Sequence, residues 1–247
     1  MVKSIRVKTA VSRTKIPVAD FTVNPYIGCS IGCKYCFARF VGPFKSYGSE
    51  WGRDIFIKEN IVECLRRSID RLPRGVFFVS TVCDAYQHVE KQTMLTRKVL
   101  EILISRGFPI FLMTKSSLIT RDIDLLQQAE ELRVMISMTT DRNDVIKALE
   151  PGGTGFDERL DTLKTLRDAG IDAGVFVGPV LPMNQQFMAE KIAELTNHVT
   201  LDPLNYSWQV KGIFRERGWH YWLTRESFME VENVFRKVIP ASTTTHE

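Results

Sequence analysis

At 247 residues, with a formal net charge of +4 and 44% apolar side chains, the chain is long enough for one α/β barrel and apolar enough to bury its core. The charge is mild and no dense Lys/Arg tract occurs, so a nucleic-acid partner is not favoured. No stretch approaches the roughly 18 apolar residues of a membrane helix. The opening MVKSIRVKTAVSRTK lacks the apolar run of a signal peptide. A cytoplasmic protein with reduced thiols and no membrane partner is expected.

Residues 1–19 are basic and weakly patterned and read as a lead-in. Phe21-Thr22-Val23 reads as a first strand, ended by Pro25. After the Gly/aromatic loop from Gly42 to Gly52, Asp54 to Lys58 reads as a short strand. Asn60 is placed to cap a helix running to Leu72, with Ile61, Leu65, Ile69 and Leu72 on one face and Cys64 beside it as a small buried hydrophobe. Val76 to Val82 is a nearly continuous apolar run, the pattern of a strand buried on both faces. A helix from Thr93 to Arg106, a strand from Pro109 to Thr114, a helix from Asp122 to Glu131 and a strand from Val134 to Met138 follow. Then come a helix from Asp157 to Ala169, a strand from Asp172 to Val177, a helix from Gln185 to Asn197 and a weaker strand from Val199 to Tyr206. Ser227 is placed to cap a last helix ending at Val238, and a polar tail covers Ala241 to Glu247.

Strand and helix alternate, which argues for βαβ units around a parallel sheet, either open and doubly wound or barrel-like. The count of about six strands falls short of the eight of a closed barrel. The strand ends carry hydroxyl, charged and thiol groups: Asn24 to Cys36, Thr81 to Asp84, Thr114 to Ser116, Ser137 to Asp141; Gly178 to Pro182 is the apolar exception.

Three of the five cysteines, Cys29, Cys33 and Cys36, form a C-x3-C-x2-C loop. Three thiols cannot all pair as disulfides, and loops this tight strain one. Zinc would need a fourth ligand from elsewhere. A [4Fe–4S] cluster takes one thiolate per iron, so three would leave one iron open to an exogenous ligand, and the two remaining cysteines are too few for a second such cluster.

With Tyr35 as the aromatic before the third cysteine, this loop resembles that of the radical S-adenosylmethionine superfamily, and NPYIGCSIGCKYCFAR is similar to the branch of spore photoproduct lyase. The likeness extends over residues 20–200 through Glu150-Pro151, Arg159-Leu160, Ala169-Gly170-Ile171 and the Pro179 to Pro182 run. It implies a partial (β/α)6 TIM-like barrel as a single domain, with the core at 20–206 and a C-terminal extension at 207–247 closing it. It implies a [4Fe–4S] cluster on Cys29, Cys33 and Cys36, and S-adenosylmethionine bound at the open iron. The cofactor would lie near Tyr35, Asp84, Lys115 and Ser137, with Lys115 facing its carboxylate. Cys83 would be the candidate catalytic residue, giving a hydrogen atom to a substrate radical; a buried structural cysteine is the alternative there.

The activity so implied is reductive cleavage of S-adenosylmethionine to a 5′-deoxyadenosyl radical that abstracts hydrogen from an unknown substrate, with a reductant such as flavodoxin or ferredoxin. Repair of a nucleic-acid lesion is one alternative. The basic and aromatic stretch from Gly212 to Arg225 suits it, whereas Phe37, where the lyase proper has a tyrosine implicated in hydrogen transfer, weakens it. A zinc-binding interaction module without chemistry is the other.

Overall fold

The computed structural model describes residues 1–47 and 50–245; parts of the Gly42–Gly52 loop and of the polar tail lie outside them. In chain order its elements are β1 (Val2–Ile5), β2 (Val11–Arg13), β3 (Phe21–Val23), β4 (Tyr26–Ile27), β5 (Ile55–Lys58), α1 (Ile61–Ser68) and β6 (Phe77–Val79). There follow α2 (Glu90–Thr93), α3 (Leu95–Ser105), β7 (Ile110–Thr114), α4 (Ile123–Leu126), β8 (Leu132–Ser137), α5 (Asn143–Leu149) and α6 (Phe156–Asp168). The chain ends with β9 (Ala173–Val177), α7 (Gln185–Ala193), β10 (Val199–Leu201), α8 (Lys211–Glu216), α9 (Arg225–Val238) and β11 (Thr243–Thr244).

One eight-stranded sheet runs β11-β10-β9-β8-β7-β6-β3-β2, parallel except for the β2–β3 pair. The two edges do not meet, so it is a partial barrel with six central parallel strands, as the resemblance implies. Alternation along each strand separates two apolar layers. Phe77, Val79, Leu112, Val134, Ile136 and Val175 pack outward against the helices. Phe78, Phe111 and Met135 form a second layer on the opposite face, with Phe78 opposite Phe111 across the β6–β7 ladder. Above this second layer Ser137 ends β8, buried.

The stretch 1–19, expected as a loose lead-in, is instead structured. β1 pairs with β5 in a small second sheet, and β2 pairs with β3. Asn60 does not cap α1; its side chain accepts from Val7 N at 2.8 Å and donates to Val7 O at 2.9 Å, tying this segment down. The cap expected of Ser227 belongs to Thr224, whose hydroxyl accepts from Ser227 N. Several elements are shorter than their apolar runs suggested: β6 stops where Ser80 takes φ +68, and the helix expected over 122–131 is only α4.

The helix expected from Thr93 is broken at Met94, which sits at φ +55. That break aims the first N–H groups of α3 at Glu90, a fully buried carboxylate. Glu90 accepts from Thr96 N at 3.0 Å, Arg97 N at 3.3 Å and Arg121 Nη2 at 2.9 Å, and from the Tyr26 hydroxyl. The carboxylate meets the positive end of a helix and a guanidinium at once. Removing one partner of a buried ion pair strands the other. Glu90→Ala is therefore expected to lower unfolding free energy by about 3 kcal/mol in urea titrations. Lys191→Ala, at an exposed pair with Glu194, should change it by less than about 0.5 kcal/mol.

Candidate functional site

The cysteine loop leaves β4 and has little regular structure of its own, so distant parts of the chain hold it. Gln87 accepts from Ser30 N at 2.9 Å and donates to Gly28 O at 3.2 Å. Lys34 N donates to Leu149 O at 2.8 Å, and Gly152 N to Ile31 O at 2.9 Å. Trp51 Nε1 donates to Cys33 O at 3.1 Å, and Gln209 to Tyr35 O at 3.0 Å. Two glycines permit the fit. Gly28 sits at φ +85, and a Cβ there would fall 2.3 Å from Asp54 O; a Cβ on Gly152 would fall 2.2 Å from Ser30 O.

All five cysteines are free. Cys29 and Cys33 are buried and Cys36 is half-buried, in one cluster with Tyr35, Leu181, Val210, Phe214 and Trp219. Burial pushes the Cys33 thiol up to about 12 and raises Cys29 and Cys36 as well. Such thiols stay protonated at neutral pH until a cation displaces the proton. This donor set fits a thiolate-bound iron cluster. Among the described residues no three Cys, His, Asp or Glu side chains stand close enough to share a single metal ion.

Asp84 joins this loop to the strand ends. Its N–H donates to Cys29 Sγ at 3.3 Å. Its carboxylate accepts from Tyr86 N at 2.8 Å, the Thr114 hydroxyl at 2.6 Å and Lys115 N at 2.9 Å. The carboxylate thus latches the end of β6 to the end of β7. Lys115 is half-buried; burial lowers its pKa, but Glu150 and Cys33 outweigh that and raise it.

Behind Tyr35 lies a buried pair that sequence reasoning did not place in the site. Tyr35 donates its hydroxyl hydrogen to Glu150, which also accepts from Thr139 at 2.9 Å and from Arg159 Nη2 at 2.5 Å. Arg159 Nη1 donates to Ser137 O at 3.0 Å and Nε to Thr154 O at 3.1 Å. Burial alone would raise the Glu150 carboxyl; Arg159 and Lys115 prevail and hold it at about 2. Tyr35 and Ser137 are thus linked through one ion pair, and Lys115 feels its charge. The sequence signal was Glu150 ahead of a glycine pair, with Arg159 on the following helix.

Cys83 lies between the main core and the cysteine cluster, partly buried, its thiol pushed up to about 12 by burial. Cys64 is elsewhere, buried beside Asn60 and Val7. His88 is exposed at the surface. From the basic and aromatic tail, α8 and the turn after it place Phe214 and Trp219 against the cysteine loop.

The Radical SAM superfamily model matches residues 23–196. An uncharacterized protein of Methanocaldococcus jannaschii is 32% identical over 203 residues, covering 81% of this chain and 76% of its own. An uncharacterized protein of Mycobacterium tuberculosis is 31% identical over 66% of this chain, which spans half of that protein's length. Among solved structures, a spore photoproduct lyase with AdoMet and dinucleoside spore photoproduct bound superposes with a TM-score of 0.69 at 17% identity, covering 98% of this chain and 81% of that one. Among the described residues no helix is long and apolar enough to cross a membrane.

The Gly152–Ser30 approach gives a test of how the loop is held. Overpacking a close contact costs about 1–3 kcal/mol, and here the carbonyl that must give way belongs to the cysteine loop. Gly152→Ala is expected to lose most of the iron bound after anaerobic reconstitution while the far-ultraviolet circular dichroism stays unchanged.

Proposed function

Because this chain belongs to the radical SAM superfamily, we propose that Cys29, Cys33 and Cys36 hold a [4Fe–4S] cluster beside a site for S-adenosylmethionine at the strand ends. Together these groups, when bound and given one electron, supply a 5′-deoxyadenosyl radical for abstracting hydrogen from a substrate. The observation that carries the reading is the cluster of three free, covered thiols next to Asp84, Lys115 and Tyr35.

The chain's own groups have separable tasks. Lys115, raised and without an ion-pair partner among the described residues, offers a point charge to the amino-acid carboxylate of the cofactor. Tyr35, held by Glu150, and Ser137, whose carbonyl is fixed by Arg159, present a rigid wall. Asp84 joins the ends of β6 and β7 and fixes the backbone at Lys115. Trp219, Phe214 and Leu181 keep water from the loop. Cys83 is the group we assign to return a hydrogen atom to the substrate radical.

Lesion repair is not our reading. Phe37 follows the third cysteine and has no O–H to donate, and it is partly exposed, packing 6.4 Å from Tyr206.

Protein purified and reconstituted without oxygen is expected to carry about four irons and four sulfides per chain. With dithionite and S-adenosylmethionine it should form 5′-deoxyadenosine and methionine, and Cys29→Ala should abolish both iron binding and cleavage. Stoichiometric zinc without visible absorbance, or a loaded enzyme that makes no 5′-deoxyadenosine, would sink the proposal. Lys115→Met should weaken S-adenosylmethionine binding by about tenfold, the effect of one charge-assisted hydrogen bond, with cluster content unchanged.

A further inference from the structure

The three thiols of the loop are not equally covered. Cys29 and Cys33 are buried, whereas Cys36 is half-buried. Phe37 and Phe40 follow Cys36 directly, and the turn Ser207–Gln209 brings Tyr206 and Trp208 to them. The Phe40 ring centre lies 5.1 Å from that of Tyr206 and 5.3 Å from that of Trp208, and Phe37 lies 6.4 Å from Tyr206. Gln209, next to Trp208, donates to Cys36 O at 3.4 Å as well as to Tyr35 O, so these rings sit on the last turn of the cysteine loop.

Trp208 is 64% exposed, and Phe37 and Tyr206 are exposed beside it. Phe214 and Trp219, from the same C-terminal stretch, are buried against the cysteines and need no other partner. Single exposed apolar side chains are ordinary. Four rings in one chain of contacts form a patch, and such patches mark interaction sites.

The charge around the patch has one sign. Residues 21–49 hold no Asp or Glu, and their cations are Lys34, Arg39 and Lys45. Residues 203–215 also hold none, and their cations are Lys211 and Arg215. Arg39 stands between Phe37 and Phe40, the turn Pro43–Tyr47 with Lys45 packs against them, and Lys211 starts α8 two residues after Gln209. All five cations are exposed, and none meets a carboxylate among the described residues, whereas Arg6, Arg53, Arg74 and Arg106 on other surfaces do. The acid ahead of the second stretch, Asp202, is engaged by Asn205 and Thr245. An aromatic centre with a charged rim is the composition of a protein–protein interface, and this rim complements an acidic partner. A nucleic-acid platform would instead offer free ring faces to bases. Here Phe40 meets Tyr206 at 73° and Trp208 at 46°, so the rings occupy one another.

We propose that Phe37, Phe40, Tyr206 and Trp208, with the cations around them, form the docking surface for an acidic one-electron donor protein. The surface lies over Cys36, the least covered thiol. One electron leaves the reduced centre of the donor, which is oxidised by one electron, and enters the iron held by the loop; no bond forms or breaks. The role in electron entry rests on the cluster reading above; the docking surface itself does not.

The test uses the anaerobic, cluster-loaded protein and an acidic plant-type [2Fe–2S] ferredoxin. Binding of oxidised ferredoxin is measured by titration calorimetry at low and high salt, and electron transfer from reduced ferredoxin by stopped-flow absorption. Binding is expected at low salt and should weaken as salt is added. Trp208→Ala should weaken binding and slow transfer about tenfold, as loss of an aromatic anchor does, and Lys211→Glu about threefold. Trp208→Phe should retain most of both, and excess dithionite should reduce every variant to the same extent. Absence of binding at low salt, or affinity and rate unchanged in Trp208→Ala and Lys211→Glu, would overturn the surface. So would displacement of ferredoxin by a single-stranded oligothymidylate whose own binding is lost in Trp208→Ala, which would give the patch to nucleic acid. Ferredoxin that binds, loses affinity in these variants and transfers no electron would count against the cluster reading alone.

Discussion

The Glu150–Arg159 ion pair, fully out of water beneath Tyr35, is the contact on which the arrangement of the site depends. A buried pair of this kind is stabilising only when its remaining donors and acceptors are satisfied. Here they are: Tyr35 and Thr139 complete the carboxylate, and the carbonyls of Ser137 and Thr154 complete the guanidinium. The pair therefore ties together the cysteine loop, the end of β8 and the start of α6. Its net negative reach toward Lys115 keeps that lysine charged although it is covered.

A second carboxylate network stands on the other side of the loop. Glu90, Arg121, Asp122 and Arg97 bind the start of α3 to the turn before α4. Through Tyr26 this network also fixes β4, the last regular element before the first cysteine. Asp84 sits between the two networks and joins β6 to β7. The loop is thus held from both flanks by groups with no freedom to turn, which is how a site keeps its geometry when its own backbone has few ladder bonds.

The central strands were legible because they are largely buried: the strands expected over Pro109 to Thr114 and Asp172 to Val177 form β7 and β9, each one residue shorter. β1 and β2 were not, because they are peripheral and largely exposed, and their alternation is masked by Lys3, Ser4, Ser12 and Arg13. α5 escaped notice because seven residues barely define a period. The break at Met94 has no local signal, since it is set by what Glu90 must reach. The three cysteines were legible because they are neighbours in sequence. The Tyr35–Glu150 contact was not, because its partners lie 115 residues apart and only tertiary packing joins them.

The hydrogen bond from Gln209 to the Tyr35 carbonyl bears on how the protein is made. Gln209, which holds the carbonyl of Tyr35, lies 174 residues downstream of it. At about 5–20 residues per second, roughly ten to thirty seconds of synthesis separate the cysteine loop from its cover. During that interval the three thiols have neither Gln209 nor Phe214 and Trp219 over them. Under the cluster reading proposed above, iron would be delivered most easily to the nascent chain, and the cover that later closes over the loop would also slow repair of a lost cluster.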